Sequence, residues 1–303
     1  VTFDGVDDAD WNGIDTDWTS VAGDLTIKNA GAAAVSDAFS SVETALLTDR
    51  LDLNGSLTIE GSGGYGVYIT ENDTNPGDAG SSSTLTVSGT TDAALSLSPR
   101  ALAVLNGTLD LTIGGDVGAV VELRQQSLGT ATPLNEVVFP DLGAGNFYHV
   151  VGSPKFNVGS SGDRVLTFEA GAHLKFDDDK LFTVDAGRSS EVVISGTSDR
   201  PVVFEAADTA WAGMLIDTQL DADYAQFWDG GSVMPSGQTE KASLIIDTGS
   251  DSTDLSIENS TFSGSGGYGI LIESGSPSID FTESSLANTF ADNASGSVLD
   301  RNN

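Results

Sequence analysis

The sequence predicts an all-β chain, a right-handed parallel β-helix wound as one continuous solenoid of about a dozen coils. Three observations lead there. Short runs of alternating or β-branched residues recur from one end of the chain to the other. Clusters of Gly, Asn, Asp and Ser separate them where helices would otherwise stand. Two stretches near the start also return, in the same order, about 200 residues later.

The expected strands are, in order, Leu57-Thr58-Ile59, Val67-Tyr68-Ile69, Leu85-Thr86-Val87, Leu109 to Ile113, Val165 to Phe168, Leu181 to Val184, Val192 to Ile194, Val202 to Phe204, Leu244 to Ile246 and Ile270 to Ile272. Their period of two puts alternate side chains on one face, and their length suits strands better than helices. Corners fall at Asn54-Gly55, Asn106-Gly107, Asp229-Gly230-Gly231 and Ser263 to Gly267, residues that tolerate the left-handed backbone of tight turns. Only Ala32 to Leu47 offers a helix, and its Ser and Val content fits a decorated loop equally well.

The repeat decides between a sandwich, a propeller and a solenoid. Val1-Thr2-Phe3-Asp4 followed by Trp11-Asn12-Gly13-Ile14 matches Val202-Val203-Phe204-Glu205 followed by Trp211-Ala212-Gly213-Met214. Gly61-Ser62-Gly63-Gly64-Tyr65-Gly66-Val67-Tyr68-Ile69 matches Gly264-Ser265-Gly266-Gly267-Tyr268-Gly269-Ile270-Leu271-Ile272. Residues 1–100 therefore read as the C-terminal half of a unit of about 200 residues, 101–146 as connecting coils, and 147–303 as a module whose last hundred residues repeat the first hundred. One and a half periods, opening at Val1 without Met or a signal peptide, read as a window onto a longer array.

Composition bounds the function. With 45 acidic against 12 basic residues, the net charge of −33 repels nucleic acid and points to a salt-rich or marine, extracellular setting that screens carboxylates. The absence of cysteine excludes disulfides, thiolate metal sites and cysteine nucleophiles. No run approaches the ~20 apolar residues of a membrane helix. Aromatics at 7% predict a core of small and β-branched side chains.

The run Val165-Leu166-Thr167-Phe168-Glu169-Ala170-Gly171-Ala172-His173-Leu174-Lys175-Phe176 resembles a coil of the pectin-lyase-like β-helices of bacterial and archaeal extracellular surface proteins. Gly196-Thr197-Ser198-Asp199-Arg200-Pro201-Val202-Val203-Phe204, Trp211-Ala212-Gly213-Met214, and Ile257-Glu258-Asn259-Ser260-Thr261-Phe262 with Gly267-Tyr268-Gly269-Ile270 resemble further coils of that family. The resemblance covers about residues 147 to 295, and 1 to 100 through the repeat. It implies the fold. It leaves function open, because this architecture carries lyases, hydrolases, fibres and spacers alike.

Asp8, Asp10, Asn12, Asp15 and Asp17 have the alternating oxygen spacing of a calcium loop, with Gly13 inside it, which makes calcium the one cofactor the sequence raises. Thr19 stands where an EF-hand has Glu, and Ala210 and Ala212 replace Asp10 and Asn12 in the second copy. A solvated acidic turn explains the run as well. The acid groups Asp177 to Asp179, Asp217, Asp221 and Asp223, and Asp247, Asp251 and Asp254 could hydrolyse a glycosidic bond only if two carboxyls stood on adjacent coils of one face. Lys155, Arg164, Lys175, Lys180, Arg188 and Arg200 are the only concentration of base for a lyase, and read more simply as partners of acids; His149 and His173 read as surface or corner residues. Trp11, Trp18, Trp211, Trp228, Tyr65 and Tyr268 could stack on sugars, but four of them recur at repeat-equivalent positions, which a packing role explains. Asn54, Asn72, Asn106, Asn259 and Asn293 head glycosylation sequons.

The leading expectation is a structural segment or subunit of a surface stalk, matrix fibre or filament that is not an enzyme. Its partners are another copy end to end, or the continuation of the same chain, and surface glycans. The alternatives are a polysaccharide lyase, hydrolase or tailspike-like depolymerase, and a calcium- or carbohydrate-dependent adhesin.

Overall fold

In the strands Ser56–Ser62 and Thr84–Thr90 every second residue is apolar, and Leu57, Ile59, Leu85 and Val87 are all fully buried. A single chain that alternates in this way must supply its own neighbour on each side. The computed structural model shows how: successive parallel strands stack into sheets, and the sheets form a β-solenoid with essentially no helix. It describes residues 1–303 apart from 6–10, 34, 37–40, 71–76, 80–82, 100, 103–109, 115–120, 125–126, 129–135, 159–163, 187–189, 249–254, 275–278 and 302–303.

Two compact units are present, one of Val1–Arg124 with Leu142–Tyr148, the other of Gln125–Asp141 with His149–Asn303. In the first, one sheet runs Thr2–Asp4, Asp24–Ala30, Ser56–Ser62, Thr84–Thr90, Asp110–Gly114, and another runs Ile14–Val21, Thr44–Leu53, Tyr65–Ile69, Leu95–Leu97, Val121–Leu123. Like residues fall in register: Leu25 beside Leu57 beside Leu85, and Ile27 beside Ile59 beside Val87. Because neighbouring strands lie ~4.8 Å apart, each such ladder is a continuous apolar column.

Three sheets build the second unit. One coil of it uses Gln219–Asp223, Ala225–Trp228 and Ala242–Asp247, and each pairs parallel with the corresponding strand of the next coil, Leu255–Glu258, Thr261–Ser263 and Tyr268–Ser274. Single residues in the left-handed region turn the corners, among them Tyr224 (φ 50°), Asp229 (φ 55°) and Asn259 (φ 50°).

All ten strand runs read from the sequence lie in or across observed strands. The solenoid has about eight turns and not a dozen. Its turns vary in length: 23 residues separate Phe204 from its partner Phe227, 28 separate Leu57 from Leu85, and 35 separate Leu220 from Leu255. The expected core of small side chains holds only in the first unit. In the second, Phe204, Phe227, Phe262 and Phe290 stack in one column with centroids 4.8, 4.9 and 5.4 Å apart, and Phe139–Phe168 and Phe156–Phe182 stack at 4.7 and 5.0 Å. Composition averages over the chain and hides this segregation. Finally, Ala32 to Leu47 holds no helix among its described residues; Val35–Ser36 pairs antiparallel with Ser41–Val42, and Thr44 opens the strand Thr44–Leu53.

Candidate functional site

The repeat is the most informative feature, since it separates side chains that serve the fold from those that do something else. The indole of Trp11 donates to the Lys28 carbonyl at 3.0 Å, and that of Trp211 to the Trp228 carbonyl at 2.9 Å, both 17 residues along. Ser62 and Ser265 donate to the carbonyls of Tyr65 and Tyr268 at 2.6 and 2.7 Å. Gly13 and Gly213 hold φ of 104° and 108°, and a Cβ there would lie 2.3 and 2.4 Å from the carbonyl oxygens of Thr44 and Ala242. Trp211 is completely buried and stacks on Phe176 at 4.1 Å. These residues carry packing work, as their recurrence implies.

Of the calcium run, Asp8 and Asp10 lie outside the described residues. Asn12 is exposed, and the close approach of Gly13 to backbone accounts for that glycine. Asp15 and Asp17 sit exposed on the strand Ile14–Val21, two residues apart. Among the described residues no group of three or more His, Cys, Asp or Glu is placed to hold a metal ion.

Several of the other acids have partners in neighbouring coils. Asp178 accepts from the Thr209 hydroxyl at 2.7 Å and from the Thr209 and Ala210 N–H groups, which holds its carboxyl below the usual range. His149 meets Asp177 at 2.7 Å, while His173 and Lys175 share Glu205 Oε1 at 2.9 and 3.0 Å. Arg200 donates to Asp141 at 2.6 Å. Arg188, Asp251 and Asp254 are outside the described residues. Lys175 and Arg200 thus act as ion-pair partners, each such partly exposed pair worth ~0.2–1 kcal/mol.

Sequence reading found no register that would put two acids side by side, and the structure supplies three by strand register, Asp52 with Asp78, Asp185 with Asp217 and Asp223 with Glu258. Asp223 pairs with Glu258 on the next coil, with Leu220, Ala222 and Ile257 buried on the opposite face of the same strands. The 35-residue offset, against 23 between Phe204 and Phe227, hid this neighbour in the sequence. Asn259 Nδ2 donates to Asp223 Oδ1 at 2.8 Å.

Among the sequon asparagines, Asn54 is exposed at a corner. The side chain of Asn259 is engaged as just described, and Asn293 bridges coils, donating to the Phe262 carbonyl at 3.1 Å and accepting from the Ser265 N–H at 3.1 Å. Asn72 and Asn106 fall outside the described residues.

The first turn differs from everything that follows it. Of the four large apolar side chains described as exposed, Val1 (79%), Phe3 (45%) and Trp18 (60%) belong to it, and only Met234 (52%) lies elsewhere. Trp18 donates to Asp52 Oδ2 at 2.8 Å and carries the Arg50 guanidinium 4.8 Å from its ring centre. An open cavity of about 470 Å³ lies beside them, lined by Val1, Phe3, Val21, Gly23 and Leu25 among others. Sequence reading treated Trp18 as one aromatic of several. Its signal was the lack of an aromatic partner 200 residues on, where Thr218 stands.

No described helix is long and apolar enough to cross a membrane. Comparison with protein-family models, with curated proteins and with solved structures gives no match to this chain.

Proposed function

We propose that this chain is a structural segment of an extracellular stalk or fibre, acting through a stiff stacked backbone and an anionic coat. The observation that carries this reading is the duplication of whole corners. Trp11 and Trp211, Gly13 and Gly213, and Ser62 and Ser265 make the same contacts at the same spacings, so successive coils are built to stack on one another. The net charge of −33 supports a salt-screened, external setting. Antibody labelling of intact source cells is the test. Surface label without permeabilisation is the expected result, and label that appears only after permeabilisation overturns the reading.

One observation favours a second reading, polysaccharide hydrolysis. Asp223 and Glu258 stand on adjacent coils of one face, and strands ~4.8 Å apart bring two carboxyls within reach of the ~5 Å spacing of a retaining pair. Release of reducing ends from anionic glycans, lost in Asp223→Asn, would establish it. No release from a broad glycan panel would retire it.

A further inference from the structure

Asn54 and Gly55 turn the chain between the strands Thr44–Leu53 and Ser56–Ser62. Both ends of this corner are fixed. Leu53 pairs with Val21, while Ser56 pairs with Asp24 on one side and Thr84 on the other. Backbone hydrogen bonds hold the corner further: the Asn54 N–H donates to the Val21 carbonyl at 2.8 Å, the Ser56 N–H to the Gly23 carbonyl at 3.0 Å, and the Thr84 N–H to the Gly55 carbonyl at 3.1 Å.

Glycine is required at position 55. A Cβ there would lie 2.3 Å from the Gly23 oxygen and 2.7 Å from the Gly23 nitrogen, both backbone atoms of the adjacent coil. The fold therefore sets a glycine directly after an exposed asparagine. With no Cβ beside it, the glycine N–H stands open to that asparagine's side chain. Among the described residues neither the Gly55 N–H nor the Asn54 amide has a hydrogen-bond partner. Other asparagines are held. The side-chain amides of Asn29, Asn146, Asn259, Asn288 and Asn293 donate to oxygens 2.7 to 3.1 Å away, and none of the five precedes a glycine. Asn12 does precede one, yet its second-copy counterpart Ala212 is buried, so that step is closed where a coil covers it.

We infer that Asn54-Gly55 is a site of spontaneous deamidation in the folded chain. The Gly55 nitrogen gives its proton to hydroxide and attacks Asn54 Cγ; a C–N bond forms there as the amide C–N bond breaks and ammonia leaves. The product is a cyclic succinimide. Water then opens the ring at either carbonyl, giving aspartate at position 54 or an isoaspartyl link whose main chain is one methylene longer. The two products meet the fold differently. Aspartate leaves the main chain unchanged and adds one negative charge at an exposed corner. The isoaspartyl link lengthens a corner whose two ends are both in register, so Leu53 beside Val21 and Ser56 beside Asp24 are no longer compatible. The buried Leu57 and Ile59 just beyond it are then drawn out of their columns.

The test uses the full chain made without glycosylation, because Asn54 also heads a sequon. Held folded at pH 8 and 37 °C, it gains about one dalton, and peptide mapping places aspartyl and isoaspartyl products at position 54. Since hydroxide drives the attack, conversion at pH 8 outruns that at pH 6 by roughly tenfold or more. Asn259, Asn288 and Asn293 stay intact over the same period, and Asn54→Gln abolishes the gain. Asn54→Asp unfolds at the parent's urea midpoint, whereas the isoaspartyl form, separated by chromatography, unfolds at lower urea. Asparagine that persists at position 54 of the folded chain while it converts in the urea-unfolded chain overturns the site. Isoaspartyl chains that share the parent's midpoint overturn the consequence drawn for register.

Discussion

At equivalent register positions the first unit fills its column with Phe3, Ile27, Ile59 and Val87, and the second fills it with Phe204, Phe227, Phe262 and Phe290. The corners beside these columns are nevertheless the same in both, down to the indole–carbonyl hydrogen bond and the positive φ of Gly13 and Gly213. Column and corner therefore obey different constraints. A column needs only apolar volume at a ~4.8 Å repeat, which a β-branched side chain or a stacked ring supplies equally. A corner must let backbones approach to distances at which a methyl group collides, and that leaves little choice of residue.

Substitutions can break this comparison. Phe227→Ala, in the middle of the ring stack and fully buried, is expected to cost ~3–5 kcal/mol, against ~0.5–1.5 for Ile59→Val in the aliphatic column. Urea midpoints of the two variants measure the difference, and equal losses would show that the rings add nothing. Gly13→Ala and Gly213→Ala should each cost ~1–3 kcal/mol or more, alike in both copies, because the new Cβ meets a carbonyl oxygen in each. A loss in one copy alone would mean the corners are not equivalent. Trp211→Phe keeps the stack on Phe176 and removes one hydrogen bond, so ~1 kcal/mol is expected, with less for the half-exposed Trp11→Phe.

The smallest effect concerns charge. Asn29 donates to Asp4 at 3.0 Å in the first copy. In the second, Asp229 and Glu205 stand in those places; partial loss of hydration, and then the Glu205 carboxylate, raise the Asp229 pKa. A carboxyl raised on folding adds stability that is complete below its unfolded value of about 3.9 and fades as pH rises through the folded value. Asp229→Asn removes this loss. The variant's melting temperature should therefore fall less than the parent's, relative to its own value at pH 4, as pH is raised to 6. Parallel curves would contradict the assignment.

The strands and the 200-residue repeat were legible because both depend on local pattern: a period of two in runs such as Leu85-Thr86-Val87, and glycines at fixed places. What escaped depends on distance. Asp223 and Glu258 become neighbours only through a 35-residue offset, and the antiparallel pair Val35–Ser36 and Ser41–Val42 uses residues that fit a helix or a loop equally in isolation. The aromatic core was missed for another reason. An average of 7% says nothing about where the rings lie, and Phe139, Phe156, Phe168, Phe176, Phe182, Phe204, Phe227 and Phe262 are all buried in one unit.

Cross-linking tests the parallel stacking most directly. In this cysteine-free chain, Thr58→Cys with Thr86→Cys and Gln226→Cys with Thr261→Cys place thiols at register partners of adjacent coils, one pair in each copy. Both pairs should close into intrachain disulfides on mild oxidation, while Thr58→Cys with Ser88→Cys, two residues out of register, stays reduced. Closure of the shifted pair, or failure of both matched pairs, would contradict a chain that coils back on itself in parallel.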